Sequence, residues 1–148
     1  MELLEFSSRI GMAALAGLII GMEREMKGKS AGLKTNALVA IGAAVFVLLS
    51  LEFRGEEFVD TTRVIGQIVT GIGFIGAGTI IQRGGNVSGL TTAATIWCSA
   101  GAGCLAAMDM YKELIVVGVF ILVINFAFSY LAKRFNWETH KKDDDGKV

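Results

Sequence analysis

Residues 64–108 read VIGQIVTGIGFIGAGTIIQRGGNVSGLTTAATIWCSAGAGCLAAM, 45 residues with no acidic side chain and one basic one, Arg83. Glycine and threonine crowd the stretch, and two apolar runs at 64–81 and 90–108 flank a polar, glycine-rich break at 82–89. Each run is long enough for a helix to cross a hydrocarbon core of about 30 Å at about 1.5 Å per residue. The pattern predicts two membrane helices joined by a short loop, and that pair decides the fold class.

Working outward, three more apolar segments lie at 10–22, 37–51 and 114–132. The 148 residues are 53% hydrophobic with a mean hydropathy of +0.56, too apolar for an ordinary soluble domain. Segments 64–81, 90–108 and 114–132 span on their own, whereas the first two need their flanks. Extending the first back to Leu3 takes in Glu5 and Arg9, spaced i,i+4 with the acid first, the favourable order for an ion pair on one helix face. The expectation is an all-α, polytopic transmembrane bundle of about five helices over residues 1–135, followed by a short polar tail at 136–148. No proline interrupts any segment, and no linker or repeat divides the chain.

Basic residues orient the bundle. Alternate loops place Arg24, Lys27, Lys29, Lys34, Arg83, Lys133, Arg134, Lys141, Lys142 and Lys147 on one side, against Arg9, Arg54, Arg63 and Lys112 on the other. By the positive-inside rule the N-terminus lies outside and the C-terminus in the cytoplasm. Glu2 and Glu5 open the chain where the n-region of a signal peptide is basic, which argues against a cleaved signal. A net charge of zero gives no electrostatic case for nucleic acid, so membrane lipid is the expected surroundings. Cys98 and Cys104, six apart on one segment, read as small packing residues rather than a disulfide or metal pair. Tyr130 and Trp137 suit the interface, and the run Asp143 to Asp145 reads as a solvated tail.

Gly71-Ile-Gly-Phe-Ile-Gly76 matches the dinucleotide pattern G-x-G-x-x-G, but that pattern needs a strand before it and an acid about 20 residues on. No acid occurs between Asp60 and Asp109. Glycines in an apolar span more often let helix backbones approach, and Gly71, Gly73, Gly76, Ala77 and Gly78 fall on several faces. The third helix is therefore expected to be central, touching neighbours or another subunit on more than one side. In the fourth segment Thr91, Thr95, Ser99 and Ala102 form a small polar stripe, either bonded within the bundle or lining a cavity. Gln67, Thr70 and Asn125 are placed to face it. The loop 82–89 is rich in glycine, which tight-turn geometry or anion binding beside Arg83 and a helix start would each explain. Thr91 or Thr92 is the expected cap of the next helix, Gly89 precedes it, and Asn86 is the loop residue of first interest.

Arg9 either snorkels with Glu5 or faces the bundle. Gly17 and Gly21, spaced G-x-x-x-G, favour a helix contact. In the loop Glu23-Arg-Glu-Met-Lys-Gly-Lys-Ser-Ala-Gly-Leu-Lys-Thr-Asn36, topology accounts for the lysines and Thr35 or Asn36 for a cap. It does not account for an acid on each side of Arg24.

These residues together resemble the MgtC/SapB family of bacterial inner-membrane proteins. The resemblance runs through Arg9, Gly17, Gly21, Glu23 and Arg24, then Ala31-Gly-Leu-Lys-Thr35, where the family commonly has Arg at the position of Lys34. It continues through Gly71-Ile-Gly-Phe-Ile-Gly-Ala-Gly78 and Asn86-Val-Ser-Gly-Leu-Thr-Thr-Ala-Ala94, then Trp97. It implies five helices with a cytoplasmic C-terminus, an inner-membrane location and association with growth at low magnesium or, in pathogens, persistence in host phagocytes. Some members are thought to restrain the rotary ATP synthase. The motif residues it carries over are Arg9, Glu23, Arg24, Gly32, Thr35, Asn86 and Thr91. Many members continue into a soluble domain after the fifth helix, where this sequence has a short charged tail, so functions that depend on that domain are not expected of it.

The leading expectation is a non-enzymatic membrane regulator acting through contacts with itself, by default as a dimer, or with another membrane complex such as ATP synthase. The alternative is a small oligomeric transporter or channel for magnesium or another ion, with Asp60 and Asp109 as the acids nearest its mouth. An enzyme ranks third, because the one histidine, His140, lies in the tail, although an Arg–Glu site at Glu23 and Arg24 stays open for lipid chemistry. No cofactor is expected, and metal ligation is left open.

Overall fold

The computed structural model describes residues 1–57 and 60–134; the readings on Trp137, His140 and the aspartate run lie outside the described residues. Its elements are α1 (Leu3–Met26), α2 (Leu33–Glu52), α3 (Thr61–Ala77), β1 (Ile81–Arg83), β2 (Asn86–Ser88), α4 (Leu90–Ala107) and α5 (Tyr111–Arg134). The five helices fall where the five apolar segments predict them. Among the described residues, α1, α2, α4 and α5 contain stretches long and apolar enough to cross a membrane, and the protein is a multi-pass membrane protein. The first helix does extend back to Leu3, as its length requires.

α1, α2 and α4 form the centre, held together by small residues rather than large ones. Ala13, Ala40, Ala44, Ala102, Ala106 and Ala107 are buried there, with Ile20, Val47 and Leu48 filling the space between. Glycines set the spacing. A Cβ at Gly17 would stand 2.5 Å from the carbonyl oxygen of Asn36, one at Gly21 2.7 Å from that of Gly32, and one at Gly103 2.1 Å from that of Ala40. No side chain fits in those gaps, so the backbones of α1, α2 and α4 meet directly, as small-residue faces allow in lipid.

α3 departs from its expected place. It packs along α4 and more lightly against α2, only Gly76 of it is buried, and Cβ atoms at Gly66, Gly71 and Gly73 would meet nothing within 4 Å. It is peripheral in the single chain, and the close approaches expected of its glycines are made by Gly17, Gly21 and Gly103. At 17 residues α3 rises about 25 Å, short of the span expected for segment 64–81. It starts early, because Asp60 caps it by accepting from the Thr62 amide at 2.9 Å and the Thr62 hydroxyl at 2.6 Å. These bonds hold the exposed Asp60 carboxyl below its ordinary range. The helix stops at Ala77, with Gly78 as its C-cap.

The glycine-rich break is a β-hairpin, not an irregular loop. β1 and β2 pair antiparallel with Ile81 opposite Ser88, Gln82 opposite Val87 and Arg83 opposite Asn86. The two turn residues, Gly84 at φ +51° and Gly85 at φ +85°, take the positive φ that a tight two-residue hairpin turn demands. Gly89, at φ +88°, leads into α4, and a Cβ there would lie 1.9 Å from the Thr79 carbonyl oxygen. Backbone geometry thus explains the glycines of this segment.

Candidate functional site

Polar side chains gather where the end of α1, the start of α2 and the start of α4 meet, and Glu23, Arg24 and Glu25 each turn to a different partner. Arg24 is buried on α1, and its Nη2 donates to the Thr92 hydroxyl of α4 at 2.6 Å, with the Ser30 carbonyl at 3.5 Å. Glu23, also buried, pairs with Lys27 at 2.5 Å one turn on. Glu25 reaches the start of α2, where its Oε2 accepts from the Leu33 amide at 3.3 Å. That carboxylate satisfies a free amide at a helix N-terminus and lies favourably against the helix dipole. The acids on both sides of Arg24, which topology alone does not explain, are structural ties.

Gly32 belongs to the same arrangement. A Cβ on it would lie 1.8 Å from Glu25 Oε2, so glycine there admits the carboxylate. Gly32 is the N-cap of α2 and makes no side-chain cap bond, which corrects the expected cap at Thr35 or Asn36. Thr35 is exposed. Asn36 is wholly buried in the first turns of α2; its Nδ2 donates to the Gly32 carbonyl at 2.9 Å and to the Ala31 carbonyl. Its Oδ1 accepts from the Ser99 hydroxyl of α4 at 2.8 Å, and Ser99 is wholly buried too. A buried amide and hydroxyl that satisfy each other specify the α2–α4 register, because misalignment strands both.

The polar face of α4 is therefore Thr92, Thr95, Ser99 and Ala102, turned towards α1 and α2. Thr91, placed on that stripe by its spacing, is exposed and serves through its carbonyl, which accepts from the Thr95 hydroxyl at 2.8 Å. Neither Thr91 nor Thr92 caps α4, whose N-cap is Gly89. Gln67 does not face the stripe but lines a groove between α2 and α3, and the exposed Thr70 bonds to the Gly66 carbonyl of its own helix. Asn125 of α5 joins the site from the α1 side, its main-chain carbonyl accepting from Lys27 at 2.8 Å.

The other motif residues stand apart. Asn86 is exposed on β2, Gly71 lines the groove between α2 and α3, and a Cβ at Gly73 would meet nothing within 4 Å. Gly76 meets Ala93 at 3.5 Å across the α3–α4 contact. Arg9 is at the opposite end, where Nη2 pairs with Glu5 at 2.6 Å, Nη1 donates to the Ala107 carbonyl at 2.7 Å, and Asp109 lies 3.9 Å away. It thus both pairs with Glu5 and faces the bundle, closing the C-terminus of α4 with a cation as the helix dipole favours. Asp60 and Asp109, considered as entry ligands, are engaged in a helix cap and in this cluster.

The model of the MgtC family matches residues 10–134. The chain belongs to the MgtC family. It is 47% identical over 124 residues to Protein MgtC of Salmonella typhimurium, an alignment covering 84% of this chain and 52% of that protein. It is 50% identical over 113 residues to Protein MgtC of Brucella abortus, covering 76% of this chain and 47% of that one. The chain spans about half the length of these curated relatives, and no solved structure matches it. The whole cluster from Glu23 to Asn125 lies inside the family match, and Arg9 stands one residue before it.

Proposed function

We propose that this MgtC-family chain is a non-enzymatic module of the bacterial inner membrane, N-terminus out and C-terminus in, that serves adaptation to low magnesium by contacting other membrane helices. Its partners are a second copy of itself or a membrane complex such as the rotary ATP synthase. The observation that carries the reading is where the polar side chains go. Arg24, Thr92, Asn36, Ser99 and Glu25 all bond across helix junctions inside the chain, which fits a scaffold holding a fixed shape. The uncovered faces of α3 and α5 supply apolar surface for lipid or a partner helix. Growth of a deletion strain under magnesium starvation tests it: the chain is expected to restore growth and Arg24→Ala to fail. Equal growth with and without the chain would count against it.

A second reading, a small oligomeric ion transporter or channel, is favoured by the groove between α2 and α3. Gln67 is there a polar group among Val39, Phe46, Ile68 and Ile75, and a second subunit could complete a path along it. Ion flux separates the two readings.

A further inference from the structure

The ammonium of Lys27 stands among electron-rich groups from two helices. It is 2.5 Å from Oε1 of Glu23 on α1, donates to the Asn125 main-chain carbonyl on α5 at 2.8 Å, and lies 4.5 Å from the centre of the Phe126 ring. The Glu23 side chain is 2% exposed, and its second oxygen, Oε2, is buried without a hydrogen-bond partner among the described residues. A carboxylate so placed is strongly unfavourable unless a cation stays beside it. Carboxylate, carbonyl dipole and ring face each attract a cation, and the first two also accept N–H bonds. The second half of α5 is thinly buried: Leu114, near its start, is buried, whereas its described residues from 115 to 128 are exposed or half-buried.

We infer that Glu23, the Asn125 carbonyl and the Phe126 ring form a binding site for a primary ammonium group, filled by the chain's own Lys27, and that the second half of α5 docks only while the site is filled. Lys27 is then a tethered ligand. A free alkylammonium takes its place when the tether is cut, because it carries the same charge and N–H donors. A quaternary ammonium, with no N–H to give to Glu23 or Asn125, does not.

The test uses the full chain in lipid nanodiscs, with Cys98 and Cys104 changed to Ser and spin labels on Cys introduced at Lys29 and Phe128. Labels at Leu38 and Leu90 in a parallel sample report the α2–α4 core. Lys27→Ala is expected to shift the docked-to-open ratio of α5 about tenfold or more towards open, the scale of a lost charge-assisted hydrogen bond, with the core distance unchanged. Propylammonium restores the docked distance, tetramethylammonium does not, Lys27→Arg stays docked, and Glu23→Gln with Lys27→Ala ignores the amine. An unchanged α5 distance in Lys27→Ala, or a change that no primary ammonium reverses, overturns the inference. Should Lys27→Ala lose the core distance as well, reconstitution with propylammonium decides, since recovery of both distances supports the site and continued loss refutes it.

Discussion

Three neighbouring charges, Glu23, Arg24 and Glu25, show how single residues tie this bundle together. A buried guanidinium in a membrane protein is unfavourable unless its N–H groups are used, and Thr92 takes one of them at 2.6 Å. Thr92→Val leaves that donor only the long contact to the Ser30 carbonyl at 3.5 Å and is expected to destabilise the protein by about 1–3 kcal/mol. Thr91→Val, at an exposed position, stays within about 0.5 kcal/mol. Thermal unfolding in one detergent compares the two, and equal losses would show that the stripe faces the other way. Asn36 and Ser99 are the second tie: in a double-mutant cycle, Asn36→Leu and Ser99→Ala are expected to couple by about 0.5–3 kcal/mol, as bonded neighbours do, and additivity would deny the bond. The sequence singles out Glu23, Arg24, Gly32, Thr92 and Thr95, and the structure brings all five to one end. It misses the partnership of Asn36 with Ser99, because a polar residue directly before the apolar run that starts at Ala37 looks like a cap. The α4 stripe starts one residue late for a plain reason: adjacent Thr91 and Thr92 suit two helical phases, and only the packing of α1 and α2 chooses between them.

At the level of elements, the glycines sort by what stands opposite them. Gly103→Val drives a side chain into the Ala40 backbone, where a Cβ would already be 2.1 Å from oxygen. It is expected to cost about 1–3 kcal/mol or more through overpacking and to loosen α2 from α4. Gly73→Ala, with nothing within 4 Å of its Cβ, is neutral or stabilises α3 by up to about 1 kcal/mol. Denaturant midpoints of the two variants test this, and a large loss in Gly73→Ala would mean that α3 is covered by another chain. The same composition hid this difference, since a glycine against a backbone and a glycine facing lipid are the same letter. The Asp60 cap makes a pH prediction. A carboxyl lowered by folding contributes stability that is present above its unfolded value, 3.8, and is lost as pH falls through the lower folded value. Amide exchange in the first turn of α3 is expected to quicken as pH drops below about 4, after correction for intrinsic rates, and Asp60→Asn is expected to flatten that dependence. An unchanged profile in the variant would remove the cap from the account.

For the whole molecule, apolar segment lengths and charge spacing are enough to read five helices, because in lipid a span must satisfy its own backbone and few solutions exist. The order of packing is not legible in the same way. Gly71 to Gly78 resembles a crowded centre, yet α1, α2 and α4 form the core and α3 lies outside it. The hairpin at 81–88 escapes an all-helical expectation because its two strands are three residues each, and only the paired positive φ of Gly84 and Gly85 brings them into register. Family membership then joins this architecture to longer chains named MgtC, of which the matched region covers about half. The function proposed for the bundle is contact rather than transport. Divalent-cation flux into proteoliposomes tests it most directly, with wild type, Asn86→Ala and empty vesicles side by side. Wild-type protein shown to be folded and inserted is expected to give no flux above empty vesicles; saturable flux that Asn86→Ala abolishes would contradict the account and make the protein a transporter.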